Sequence, residues 1–121
     1  MTAPMPRVSL TLDIGDREAL AAFWCTALGY RVEWSVDRYT SLAAPQGDGP
    51  ALLLQEVPEP KTAKNRFHLD LHFEDFEAQA AHLVELGATR VSPGVEQVDE
   101  VRWIVMQDPE GNEFCVCSLE C

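Results

Sequence analysis

Phe67-His68-Leu69-Asp70-Leu71-His72-Phe73 alternates apolar and polar residues at every step. Asp75 then stands as an N-cap, residues 76–86 form an amphipathic pattern, and Gly87 stops it. The same text occurs once before. Val8-Ser9-Leu10-Thr11-Leu12-Asp13-Ile14 alternates in the same sense, and Asp16 takes the cap position. Residues 17–28 carry the apolar stripe Ala19, Leu20, Phe23, Ala27 and Leu28, and Gly29 ends the helix. Asp16 and Asp75 are 59 residues apart, Gly29 and Gly87 58. Two landmarks of different chemistry agree within one residue, which marks an internal duplication.

Three strand-like pieces follow each helix. In the first half they are 30–35, 39–44 and 51–57, with Pro45-Gln46-Gly47-Asp48-Gly49-Pro50 as a turn. In the second they are 89–92, 101–107 and 113–118, with Asp108-Pro109-Glu110-Gly111-Asn112 as the turn. Residues 58–66 link the halves and are basic: Lys61, Lys64 and Arg66 lie here. The expected fold is α+β, one domain over 1–121 built from two tandem βαβββ modules, 7–57 and 67–121. A helix covers one face of each sheet, and the other face needs a partner. The modules are therefore expected to form a curled mixed sheet, a cup or half-barrel with its helices outside.

Composition narrows the function. No apolar run reaches the ~20 residues of a membrane helix, and residues 1–7 lack the basic and apolar regions of a secretory signal. The expectation is a cytoplasmic protein that does not use the membrane. Nine Lys and Arg against 20 Asp and Glu give a net charge of −11, which repels nucleic acid and can attract cationic ligands, although the plainer reading is that it keeps the protein soluble. Cys25, Cys115, Cys117 and Cys121 form no C-x-x-C and suit neither a zinc finger nor a disulfide framework. They read as free, mostly buried thiols. Cys115 and Cys117 also make a C-x-C pair able to take a soft metal, although small core thiols are the plainer reading.

Strand parity sorts the chemistry. Val8, Leu10, Leu12 and Ile14, and in the repeat Phe67, Leu69, Leu71 and Phe73, should face the helices. The concave face then receives Ser9, Thr11 and Asp13 from one half and His68, Asp70 and His72 from the other. In the last strand Phe114 and Val116 read as core, with Glu113, Cys115 and Cys117 opposite; Leu53 and Gln55 are taken as the counterparts of Glu113 and Cys115. His68 and His72 lie four residues apart, too far along a strand to share one ion, so at most one is a direct ligand. The alternative is that His68 is a polar residue bonded to a neighbour. Trp24, Trp34 and Trp103 suit core or interface positions, and Trp103 shares the parity of Val105 and Gln107 as a wall of the cup.

The duplicated unit resembles the vicinal oxygen chelate superfamily: glyoxalase I, extradiol dioxygenases, fosfomycin resistance enzymes and bleomycin resistance proteins. Phe23-Trp24 with Leu28-Gly29-Tyr30 is similar to its first-helix signature, and Asp108-Pro109-Glu110-Gly111-Asn112-Glu113-Phe114 to its last-hairpin signature. Residues 57–70 resemble a glyoxalase-like subgroup. In metal-dependent members each half gives a His or Gln from its first strand and a Glu or similar residue from its last. Carried over, the second-half pair is His68 and Cys115, and the first-half pair Ser9 and Gln55. Ser9 replaces the usual His, and Cys115 stands where Glu is usual. The metal candidates are His68, Gln55 and, with a shift of the strand, Glu113.

The resemblance implies a small-molecule protein and a homodimer. One reading is a glyoxalase-like lyase, isomerase or dioxygenase, with His68 as ligand or general base, Glu113 as base or ligand, and Asp70, His72, Trp103 and Trp34 lining the substrate. Mn²⁺, Ni²⁺, Zn²⁺, Fe²⁺ or Mg²⁺ would polarise a substrate oxygen; His68 with Asp70 behind it can also move a proton with no metal at all. The other reading is a non-catalytic, bleomycin-resistance-like dimer that binds an antibiotic or similar small molecule, Trp34 or Trp103 stacking on a cationic ligand.

Overall fold

The computed structural model describes residues 4–120. Cys121 and the first three residues of the 1–7 stretch lie outside them. The chain divides between Pro60 and Lys61 into two compact units, so the boundary falls inside the basic linker.

The first unit runs β1 (Ser9–Ile14), α1 (Arg17–Leu28), β2 (Arg31–Val36), β3 (Tyr39–Ala43) and β4 (Ala51–Glu56). Its sheet has the order β1-β4-β3-β2, with β1 and β4 parallel and the other pairs antiparallel. Asp16 caps α1 by accepting from the Ala19 N–H at 3.1 Å. Gly29 closes it at φ 69°, where a side chain would be strained. Leu20, Phe23 and Trp24 of α1 join Ile14, Leu42, Leu52 and Leu54 in the core. That settles Trp24 as a core residue, edge-on to Phe23 with ring centroids 5.1 Å apart.

The second unit runs β5 (Asp70–His72), α2 (Phe76–Glu85), β6 (Thr89–Arg90), β7 (Glu96–Val98), β8 (Val101–Gln107) and β9 (Glu113–Cys117). The order is β5-β9-β8-β6, β7 also pairs with β8, and β5 runs parallel to β9. Asp75 caps α2 through the Ala78 N–H. Phe76, Ala80, Leu83, Ile104, Met106, Phe114 and Val116 are buried, as alternation requires. Among the described residues no helix is long and apolar enough to cross a membrane.

Three expectations are corrected. The strand expected over 67–73 is ordered as β only at Asp70–His72, and Phe67 is 74% exposed rather than core. Val8 is likewise exposed, just ahead of the first paired residue, Ser9. Alternation fixes the side a residue would take but not where pairing begins. Gly87 stops α2 as expected, at φ 118° directly after the cap Leu86. Finally, β7 is an extra strand. Its three residues are all exposed and carry no apolar alternation, and Asp99 at φ 53° turns it into β8.

Candidate functional site

The helix-free face of the second sheet gathers the chemistry. Parallel pairing of β5 with β9 sets Asp70 beside Cys115 and His72 beside Cys117. Antiparallel pairing of β8 with β9 adds Val105 opposite Cys115, Trp103 opposite Cys117, and Gln107 opposite Glu113. Trp103, half-buried, thus lies on this face as its parity requires, and Glu96 of β7 pairs with it.

His68 Nε2 lies 3.3 Å from Asp70 Oδ1. Both side chains are well exposed, so the pair adds little stability, but it orients the ring. His72 has a different partner: its Nδ1 lies 2.8 Å from the Ser118 carbonyl oxygen. A carbonyl can only accept, so Nδ1 carries the proton and Nε2 the lone pair. Among the described residues, two groups of donor atoms lie within 4.8 Å of one another: His68, Asp70 and Cys115, and Asp70, His72 and Cys117. Burial, then the charge and hydrogen bond of Asp70, push the Cys115 thiol up to about 11; Glu96 adds to this and Lys64 opposes it.

Glu113 is engaged elsewhere. Its Oε1 accepts from the Asn65 N–H at 2.8 Å and its Oε2 pairs with Lys61 Nζ at 3.1 Å. Burial would raise its pKa, but the Asn65 bond and the bond and charge of Lys61 outweigh this and hold it at about 2. So weak a base is poorly suited to taking a proton at neutral pH. The linker composition showed that 58–66 was basic, but not that Lys61 and Asn65 reach the start of β9, 52 and 48 residues away.

The sign of the resulting pH dependence is fixed. A folded-state pKa held below the usual 4.5 stabilises the fold above about pH 4.5, and that share disappears as the pH falls toward 2. Glu113→Gln should therefore cost about 1–2 kcal/mol near neutrality, allowing for solvent screening, and almost nothing near pH 2. Urea unfolding across this range checks it; a difference independent of pH would count against the latch.

In the first unit, Gln55 pairs with Asp13, whereas Ser9 pairs with Ala51. Ser9 and Gln55 are thus about 13 Å apart along the strands and do not form a ligand pair. By register from the first strand, Ala51 and Leu53 are the counterparts of Glu113 and Cys115, a shift of two from the expected correspondence. The run Ala51-Leu52-Leu53-Leu54 offers no mark of register. Trp34 lies on the edge strand β2, 45% exposed.

Donor chemistry tests the divalent ion that the family resemblance implies. A hard ion such as Mg²⁺ takes oxygen ligands, and the group around His68 mixes imidazole, carboxylate and thiol. These residues do not fit a hard ion.

No curated protein matches the sequence. Solved structures do match the fold. A hypothetical protein of S. aureus aligns with TM-score 0.77 at 16% identity, covering 96% of this chain and 95% of that one. A glyoxalase/bleomycin resistance protein/dioxygenase family enzyme of Burkholderia phytofirmans gives 0.76 at 17%, covering 92% and 96%. The fosfomycin resistance protein FosX of Listeria monocytogenes gives 0.75 at 14%, covering 98% and 94%. At such identities the likeness shows the fold. A family model, the glyoxalase-like domain, matches residues 9–117. With that match over nearly its whole length, the chain belongs to the glyoxalase-like family, within the vicinal oxygen chelate superfamily.

Proposed function

We propose that the protein is an enzyme that moves a proton on a small oxygen-rich molecule, with His68 as the general base and Asp70 as the group that orients it. The observation that carries this reading is the 3.3 Å contact between His68 Nε2 and Asp70 Oδ1. In neutral imidazole an Nε2–H directed at the carboxylate leaves the lone pair on Nδ1. Nδ1 then takes a proton from a hydroxyl-bearing carbon next to a carbonyl, and the C–H electron pair moves into an enediolate. The His68 cation that forms is stabilised by Asp70. Returning the proton to the former carbonyl carbon, while the hydroxyl proton passes to the former carbonyl oxygen, completes an isomerisation that needs no redox partner. Lys64, whose charge is felt at Cys115, can offset the developing oxyanion. Glu113 is assigned to fastening the linker rather than to base chemistry, and Trp103 to the wall of the face. No step passes through a metal.

A panel of small α-hydroxycarbonyl compounds tests the reading. Each compound is followed by melting temperature for binding and by NMR for conversion. A converted compound should lose at least ~100-fold in rate with His68→Ala, about 10-fold with Asp70→Asn, and keep its thermal shift in both. Conversion that survives His68→Ala sinks the proposal.

A second reading, a non-catalytic binder of a cationic small molecule, draws on the net charge of −11 and on the exposed Trp34. Thermal shifts without conversion would favour it. In either case a homodimer is expected, because every residue of the edge strand β2 is exposed, including Val32, Trp34 and Val36. Sedimentation that finds only monomer at micromolar concentration would rule it out.

A further inference from the structure

We propose that Asp70, His72 and Cys117 bind a thiophilic divalent cation of the Zn²⁺ class beside the His68–Asp70 pair. Asp70 and His72 stand at the two ends of β5 on one face, and His72 and Cys117 are direct partners in the β5–β9 ladder. Their donor atoms lie within 4.8 Å of one another. Tetrahedral zinc, with bonds of about 2.0–2.3 Å, separates its ligand atoms by roughly 3.3–3.8 Å. The three side chains therefore need to close by about 1 Å or so, within the reach of ordinary rotamer adjustment.

The donor set selects the ion. Imidazole, carboxylate and thiolate together suit Zn²⁺ and disfavour Mg²⁺ and Ca²⁺, which call for oxygen throughout. His72 is held for the task by its surroundings. The Ser118 carbonyl accepts a hydrogen bond from Nδ1–H at 2.8 Å, which puts the lone pair of the neutral ring on Nε2 and fixes the plane of the ring. A metal-bound histidine is usually oriented in this way, by a backbone carbonyl on its far nitrogen. Asp70 has two oxygens, so Oδ1 can stay with His68 while the other meets the ion. Cys117 is buried whereas Asp70 and His72 are exposed, giving an ion a soft ligand at the base and an open approach.

The neighbouring group of His68, Asp70 and Cys115 is the weaker candidate. There the Asp70 contact is made by the histidine's own Nε2, which sets the two donors against each other instead of toward a common ion. At the favoured site three protein ligands leave the fourth tetrahedral position open, as in zinc sites that act on a bound molecule.

The test uses the reduced full-length protein with Co²⁺ as probe and Zn²⁺ as competitor. The expected result is a thiolate-to-cobalt absorption band in the near-ultraviolet that one equivalent of Zn²⁺ removes. His72→Ala, at an exposed position, and Cys117→Ser should each weaken binding at least ~100-fold, since each deletes a direct ligand. His68→Ala and Cys115→Ser should leave the band in place. His68→Ala should at the same time abolish conversion if the proton-transfer reading holds, so the two ideas fail separately. Absence of a band, together with no rise in melting temperature on adding Zn²⁺, overturns the proposal. So does a band lost in His68→Ala or Cys115→Ser, or one that persists in His72→Ala.

Discussion

Trp24→Ala should destabilise the protein by about 4 kcal/mol, in the range found when a large buried aromatic is truncated. Trp24 is 2% exposed and stands edge-on to Phe23, itself buried, 5.1 Å away. Removing the indole deletes area from the contact of α1 with its sheet, and the neighbours can only partly collapse into the space. The edge-to-face arrangement adds about 0.5–1.5 kcal/mol that is also lost. Trp24→Phe keeps most of the volume and should cost less than half as much. Urea unfolding of the three proteins checks this. A loss below about 2 kcal/mol for the alanine variant would show that the core closes over the gap.

The second large effect is expected at Asp108. Its side chain is almost wholly buried, and its Oδ1 accepts from the Glu110 and Asn112 N–H groups, both at 2.9 Å. The Asn112 amide reaches Oδ2 at 3.0 Å. The Asp108 N–H donates to the Asn112 carbonyl at 2.8 Å and the Gly111 N–H to the Asp108 carbonyl at 2.9 Å, so the Asp-Pro-Glu-Gly-Asn turn is held by one carboxylate and two backbone bonds. Asp108→Ala leaves these donors without that acceptor in a buried place. Each buried donor deprived of its partner costs about 1–3 kcal/mol, and the variant should lose about 3 kcal/mol in all. Asp108→Asn retains one acceptor oxygen and should recover roughly half. The melting temperature of the alanine variant should fall by roughly 10 °C or more. A fall of only a degree or two would mean that water replaces the carboxylate.

This turn matters for the site because it leads directly into β9, the strand that carries Glu113, Cys115 and Cys117. If the turn slips by one residue, alternation puts the two thiols on the helix side and Phe114 and Val116 on the other. The buried Asp108 network therefore protects the register on which both the proton pair and the proposed cation site depend.

Much of the site could be read from local pattern. His68, Asp70 and His72 on one face, and Cys115 and Cys117 on one face, follow from a side-chain period of two. Neither alternation nor spacing could show that Asp70 meets Cys115, or that Gln55 meets Asp13 instead of Ser9. Register between strands more than 40 residues apart depends on where the ladder begins and on turn lengths between them. The free ends of the ladder illustrate this: Val8 and Phe67 have apolar side chains at core parity and still face solvent.

The stretch around His68 thus divides into what the sequence determined by itself and what folding decided. The duplication, the two capped helices and the polar face of each first strand were legible because they rest on local rules of spacing and capping. Three pairings came only from tertiary structure: Glu113 with Lys61 and Asn65, His72 with the Ser118 carbonyl, and Cys117 with His72. Each joins residues more than 40 positions apart, and such contacts are settled by how the sheet and linker close rather than by any pattern along the chain.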